Sequence, residues 1–346
     1  MRKGIILILI LLICVTNVYG VEISAPPAPD SVQEYLPSET TNFGEDLWYI
    51  IKKAIRSIRP ELAEAGVLCV CLIGVCLIVS IVRGYTKLST ATSELVGTIS
   101  VGLVLLQPTG TFIRLGVETV MKLCEYGKLL LPAMTTALAA EGGVTTATSL
   151  YVGTVFLNTF LSTAISKIII PMVYIYLALS VASCAVGGDI LKNIQSFAMW
   201  LMSWSLKIML YIFTGYIGIT GVVSGTVDAS SLKAAKLALS GCVPVVGSVI
   251  SDASETILVS AGIMKNAAGV YGVLTMIALC IIPFLRIGVQ YILLKLTSAV
   301  CSVFGTKSPV KLIGNFTGAM GILLAMTGSV CLLHLVSTVC FMKGIG

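Results

Sequence analysis

Apolar runs long enough to cross a lipid bilayer recur along this chain. The hydrocarbon core of a bilayer is about 30 Å thick and needs roughly 20 apolar residues in a helix. Inside it a chain must satisfy its own backbone hydrogen bonds, which restricts spanning segments to helices and closed barrels. Hydrophobic residues make up 57% of the chain and charged residues 11%, less than half the charged share of a soluble domain. The sequence therefore predicts an all-α, polytopic helical membrane protein.

Seven or eight spans are predicted, with re-entrant or interfacial amphipathic helices between them. The candidates are residues 65–82, 91–106, 150–166, 168–186, 197–223, 270–285, 287–304 and 317–341. Arg83 and Lys87 follow the first candidate, and Lys307 and Lys311 precede the last. Cytoplasmic loops carry an excess of lysine and arginine, so the cations after the first span are expected in the cytoplasm.

The first 20 residues are typical of a cleavable signal peptide. Arg2 and Lys3 precede an apolar stretch at 5–15, and Val18-Tyr19-Gly20 provides a small-residue exit. The alternative is an uncleaved first span. Cleavage would leave a polar segment, residues 21–44, at a mature N-terminus outside the cytoplasm.

Residues 45–62 are predicted to form an amphipathic interfacial helix that precedes a multi-span domain at 63–346. The expected apolar face consists of Leu47, Ile50, Ile51, Ile55, Ile58 and Leu62. The opposite face carries Lys52, Lys53, Arg56 and Arg59. Such a helix suits the membrane surface, with its cations near anionic lipid headgroups. Packing against the protein's own membrane domain is the alternative.

Charges elsewhere mark a surface helix and positions at membrane depth. Residues 111–128 are predicted to form a separate surface helix with a solvated stripe at Arg114, Glu118, Lys122 and Glu125. Lys207 stands inside a long apolar run and is a candidate for a polar pathway. Glu94, Arg286 and Lys295 also indicate a polar pathway or an ion pair at membrane depth. The alternative places Glu94 at an interface and lets Arg286 and Lys295 reach the membrane surface from the ends of spans.

Residues 225–286 are too polar for lipid and too apolar for a solvent loop. The same spacing that separates Pro132 from Pro171 separates Pro244 from Pro283, which suggests an inverted repeat at about 91–186 and 197–304. Proline-interrupted segments at matching positions favour a polar pathway. The candidate pathway or structural residues are Pro132, Pro171, Lys207, Asp228, Pro244, Gly247, Asp252 and Pro283.

Catalytic signatures are missing from the sequence. The single histidine, His334, lies in the last apolar run and is expected to form a hydrogen bond inside the bundle. No Walker loop, dinucleotide fingerprint or HExxH string occurs, and the cysteines lie mostly in apolar runs, as small hydrophobic residues do. We therefore expect no enzyme activity, no cofactor, no metal site and no nucleic-acid partner.

The sequence from Gly225 to Arg286 resembles the stage III sporulation protein AE family of endospore-forming bacteria. The resemblance rests on Gly225-Thr-Val-Asp228, Lys233, Lys236, Cys-Val-Pro-Val-Val-Gly247, Val249-Ile-Ser-Asp252-Ala and Met264-Lys-Asn-Ala-Ala-Gly269 leading to Pro283. It extends over nearly the whole chain, from the signal peptide to the polytopic C-terminal half.

The resemblance implies a component of the channel-like complex, or feeding tube, that links the mother cell to the engulfed forespore. It implies insertion in the mother-cell membrane that becomes the outer forespore membrane. The implied partners are the other stage III sporulation A-operon proteins and, indirectly, stage II sporulation protein Q, besides membrane lipids. A stand-alone secondary transporter of a small solute and a purely structural membrane scaffold are the alternatives.

Overall fold

The computed structural model describes residues 25–37, 43–85, 89–140, 144–223, 267–304 and 306–344. Within these ranges the chain is helical and contains no strand, which confirms the predicted fold class. The helices are α1 (Asp30–Gln33), α2 (Phe43–Ser57), α3 (Arg59–Tyr85), α4 (Thr90–Ala140), α5 (Val144–Ala164), α6 (Ile170–Ala185), α7 (Asp189–Val223), α8 (Ala267–Ser302) and α9 (Lys307–Gly344). A π-helical turn (Ile165–Ile169) joins α5 to α6.

The long helices exceed the thickness of a bilayer. α4 has 51 residues, α9 has 38 and α8 has 36, which at 1.5 Å per residue gives about 76, 57 and 54 Å. Membrane helices seldom tilt by more than about 40°, and the hydrocarbon core is about 30 Å thick. Each of the three helices therefore extends well beyond the hydrocarbon.

Six helical segments of the described chain are long and apolar enough to cross a membrane. The expectation of two spans at 150–166 and 168–186 is wrong, because one continuous rod, Ala147–Ala185, covers both. The expected pair at 270–285 and 287–304 is likewise one helix, α8. The surface helix predicted at 111–128 is the continuation of α4. Lys167 and Arg286, which stand between the two pairs of predicted spans, lie within continuous rods. The total of seven or eight spans is therefore not confirmed.

The π-helical turn has a local cause in Pro171. Proline has no N–H to donate to the carbonyl four residues earlier, and its ring clashes with that carbonyl, here that of Lys167. The turn immediately before Pro171 is widened, because the Ile170 N–H donates to the carbonyl of Ile165, five residues earlier. Pro171 is thus accommodated by a π-bulge within a continuous rod.

Helices α4 and α9 form the centre of the bundle and run parallel. Gly116 of α4 lies against Met326 of α9, and Gly127, further along α4, lies against His334. Residue numbers therefore increase in the same direction along both helices. Helices α3 and α8 pack on one side of this pair, and the α5–α6 rod and α7 pack on the other. The connections α3–α4, α6–α7 and α8–α9 lie at one end, which we call the short-loop end.

The orientation expected for the inverted repeat does not hold. The proposed copies begin near residues 91 and 197. Opposite orientation requires an odd number of spans between these starts, but two candidate spans lie between them. Helix α7 also runs parallel to α9, because Met199 lies against Gly318 and Tyr216 lies near Thr154, which bonds Ser337. The helices that begin the two proposed copies, α4 and α7, therefore run in the same direction. The repeat itself stays a prediction.

We predict that Gly153→Ala destabilises the contact between α5 and α7. A Cβ at position 153 would clash with Cε2 of Tyr216, so the ring would have to move. Overpacking of this kind costs about 1–3 kcal/mol, measurable as a lower unfolding temperature in detergent micelles. Gly215→Ala is the matched control, since nothing lies within 4 Å of its added Cβ. Equal unfolding temperatures for the two variants would contradict this packing.

Candidate functional site

A small cavity lies where α4, α5, α8 and α9 meet, away from the short-loop end. It has room for about one water molecule. Its lining is formed by Gly127, Leu130, Leu131, Met134, Thr154, Asn158, Met276, His334, Ser337 and Thr338. Buried polar groups normally find hydrogen-bond partners, so their arrangement around this cavity shows what it can hold.

Three hydroxyl groups form a directed chain beside the cavity. The Tyr216 hydroxyl donates to the Leu150 carbonyl at 3.0 Å, so its oxygen is left to accept from Thr154 at 3.1 Å. Because Thr154 has a single hydroxyl proton, Ser337 must donate to it across their 3.2 Å contact. The chain links α9 through α5 to α7, and it leaves the Ser337 oxygen free to accept a further bond at the cavity.

His334 is oriented by one backbone bond. Its Nδ1 lies 2.9 Å from the Val330 carbonyl, and because a carbonyl only accepts, Nδ1 carries the proton of the neutral ring. Nε2 is then an acceptor, and it has no hydrogen-bond partner within the described chain. The side chain is 3% exposed. The expectation that the lone histidine forms a hydrogen bond inside the bundle is confirmed.

Asn158 supplies the complementary donor. Its Nδ2 is also buried and unpaired among the described residues. A Cβ built on Gly127 would lie 3.2 Å from both Asn158 Nδ2 and His334 Nε2, so the missing side chain leaves the space between them open. The group that fits there accepts from Asn158 and donates to His334, as a water or a hydroxyl does. The site is suited to one small polar molecule.

The proline positions and Lys207 are not brought together. Pro132 is exposed on α4, Pro171 is exposed at the start of α6, Lys207 is half-buried on α7 and Pro283 is half-buried within α8. Helix α8 lies on the other side of the central pair from α6 and α7. Asp228, Pro244, Gly247 and Asp252 lie outside the described residues.

The amphipathic helix near the N-terminus has a different buried face from the predicted one. Helix α2 buries Phe43, Asp46, Ile50 and Ala54, whereas Ile55 is 55% exposed. The helix ends at Ser57 and packs against α8, which matches the alternative of packing on the protein itself. Leu62, expected on the same apolar face, lies in α3 and is 46% exposed.

Lys53 differs from the other cations of the predicted basic face. Its Nζ donates to the Glu34 carbonyl and lies 3.7 Å from Oε1 of that residue. It also lies 5.7 Å from the ring centroids of Tyr35 and Tyr49. Lys53 therefore fastens α2 to the segment before it. Lys52, Arg56 and Arg59 are exposed, and their contact with lipid stays a prediction.

Two ion pairs join helices along the bundle. Arg286 Nη2 lies 2.5 Å from Glu61 Oε1, so α8 is tied to the start of α3. Arg286 lies within the continuous helix α8 rather than at a helix end. Glu94 lies 3.9 Å from Arg83 and accepts a 2.8 Å bond from the Ser308 hydroxyl, which fixes three helices at the short-loop end.

Sequence reasoning missed Gly127, Thr154, Asn158 and Ser337. Single polar residues within apolar runs are common in helical membrane proteins, where they bond across helices. Nothing in one sequence shows which of them meet. The one sequence signal for this site was His334, because a buried histidine needs a hydrogen-bond partner.

The fold and this enclosed polar site define a polytopic α-helical membrane protein. Residues 31–344 match the family described as stage III sporulation protein AE, and the chain belongs to that family. It is similar to Stage III sporulation protein AE of Bacillus subtilis (strain 168), with 23% identity over 193 residues. That alignment covers 56% of this chain and 48% of the relative, about half of its length. No solved structure matches. Family membership gives the chain a role in sporulation.

We predict that Asn158 and His334 are energetically coupled through the group between them. Asn158→Leu or His334→Phe alone leaves the other polar atom buried with one bond fewer, whereas the double variant removes both. The double variant should be more stable than the sum of the single effects predicts, by about 1 kcal/mol, measured by unfolding in mixed micelles.

The control cycle combines His334→Phe with Ser180→Ala. Ser180 bonds the Tyr176 carbonyl on α6, away from the cavity, so these two effects should add. Additivity of the Asn158 and His334 effects as well would contradict the shared site.

Proposed function

We propose that this protein is a non-enzymatic integral membrane component of the channel complex, or feeding tube, that links mother cell and forespore. In this role it is required for late forespore development. The observation that carries the proposal is the family match across residues 31–344. The six candidate spans are consistent with an integral component.

The location that follows is the mother-cell membrane that becomes the outer forespore membrane. The short-loop end carries Arg83, Lys192, Lys307 and Lys311 against the acids Glu94 and Asp189. The positive-inside bias favours this end in the mother-cell cytoplasm. The first span, α3, reaches that end at its C-terminus, so the mature N-terminus would lie in the intermembrane space.

The partners proposed are the other stage III sporulation A-operon proteins and, across the intermembrane space, stage II sporulation protein Q. The cavity among the described residues accommodates about one water molecule, which favours action as a subunit over action as a stand-alone transporter. Glu94, which could have served a transport pathway, is engaged with Arg83 and Ser308. A passage for cargo would then be formed together with partner subunits, or the protein would act as a scaffold for them.

Deletion of the gene in its host should arrest spores after engulfment, with loss of late forespore reporter expression. A tagged copy should restore expression and copurify with the A-operon proteins from sporulating cells. Normal late expression in the deletion strain would contradict the proposal.

Proteoliposomes that contain the purified protein alone separate the alternatives. We expect no gradient-driven solute uptake without partners, because the cavity among the described residues has no room for a larger solute. Uptake by the isolated protein would favour the transporter instead. A sporulation defect in a Lys207→Ala variant that still copurifies with its partners would argue against a pure scaffold.

A further inference from the structure

Charged residues on several helices lie at one level of the bundle. Arg286 of α8 touches Glu61 of α3. Phe284, two residues before Arg286, lies against Gly328 of α9. Met326 and Thr327, within two residues of Gly328 on α9, lie against Gly116 of α4. Gly116 stands between Arg114 and Glu118, which form an exposed ion pair at 4.0 Å. Three helices thus carry charge at this height.

The remaining outer helices carry charge at the same height. On the α5–α6 rod, Asn158 lies against Gly127 and Val181 against Gly102. This register places Lys167, in the π-helical turn, opposite the turn around Gly116.

Helix α7 also carries a charge at this height. Met199 lies against Gly318, and Tyr216 connects through Thr154 to Ser337. Lys207 is therefore opposite the turn of α9 around Thr327. We call Glu61, Arg114, Glu118, Lys167, Lys207 and Arg286 the charged belt.

Between the charged belt and the short-loop end the helices are nearly free of charge. Residues 65–82, 95–113, 168–185 and 193–206 contain no acidic or basic side chain. At 1.5 Å per residue these segments are about 21–29 Å long, close to the thickness of a bilayer core. Lys295 on α8 is the exception, and its Nζ lies 5.6 Å from the Tyr291 ring centroid.

On α4 the exposed surface changes character two turns before the belt. From Leu95 to Leu106 its exposed side chains are apolar: Leu95, Val96, Ile99, Leu103 and Leu106. From that point the exposed side chains include Gln107, Thr111, Arg114, Glu118, Lys122 and Glu125. On the α5–α6 rod, Tyr174 and Ile175 are exposed on the short-loop side. Beyond the belt Thr159 and Thr163 are exposed, together with the apolar Phe156 and Val152.

Trp200 and Trp204 are exposed on α7 within two turns of Lys207, on its short-loop side. Tryptophan is enriched at membrane–water interfaces, and lysine and arginine reach lipid phosphates from the same depth. The charged belt and the two tryptophan rings are therefore the kinds of side chain expected at the lipid headgroup layer.

We propose that only the half of the bundle between the short-loop end and the charged belt is embedded, and that this apolar band binds the phospholipid bilayer. The other half, including the cavity at His334, extends beyond the membrane. Gly127 is about 16 Å further along α4 than Gly116, so the polar cavity lies outside the hydrocarbon. With the orientation proposed above, this outer half faces the intermembrane space, but its exposure to water does not depend on that orientation.

Cysteine labelling of the full-length chain in native membranes tests this division. Thr159→Cys and Thr163→Cys lie beyond the belt, and the matched variants Tyr174→Cys and Ile175→Cys lie in the apolar band of the same rod. With a membrane-impermeant maleimide applied to both vesicle faces, the first pair should react at least ten-fold faster. After solubilisation in detergent all four should react at similar rates. Labelling is measured above that of the parent chain, whose native cysteines set the background.

A second pair of cysteine variants, on α4, keeps the test valid if a variant on the α5–α6 rod misfolds. Glu125→Cys should react as the outer positions do, and Leu103→Cys as the band positions do. Slow labelling of Thr159→Cys, Thr163→Cys and Glu125→Cys before solubilisation would overturn the proposal. Equal labelling of outer and band positions in intact membranes would also overturn it.

Discussion

The parallel contact of α4 with α9 is the interaction on which the rest of this bundle depends. Both helices run far beyond the length of a bilayer crossing, and every other long helix packs on one or both of them. Gly116 and Gly127 allow the close approach, since an added Cβ would lie 3.2 Å from Met326 and 2.9 Å from His334. The register of this pair fixes which polar groups meet at the cavity and which charges share a level.

The sequence predicted the class of fold because apolar length is a strong constraint in membranes. It placed the spans at 65–82 and 91–106 within α3 and α4. It failed where a local signal was taken as a break. Lys167 and Arg286 stood between predicted spans, yet both lie within continuous rods, in which Pro171 and Pro283 are also accommodated.

The candidate site was less predictable for a different reason. Asn158 and His334 are far apart in sequence, and each is an ordinary polar residue within an apolar run. Their complementarity appears only when Gly127 brings them to one space. The ion pair between Arg114 and Glu118 was correctly expected from their spacing. The helix that carries this pair was not correctly predicted, because nothing in the sequence shows that α4 continues from the preceding span.

The position of the bilayer along the bundle tests the central claim most directly. Electron cryomicroscopy of the full-length protein in lipid nanodiscs, with an antibody fragment bound for alignment, would show the lipid layer around the helices. We predict that lipid density surrounds Leu103 and Ile175, that the charged belt lies at its edge and that His334 lies outside it. Lipid density centred on Lys167 and Arg286, and extending over Phe156, would contradict the account.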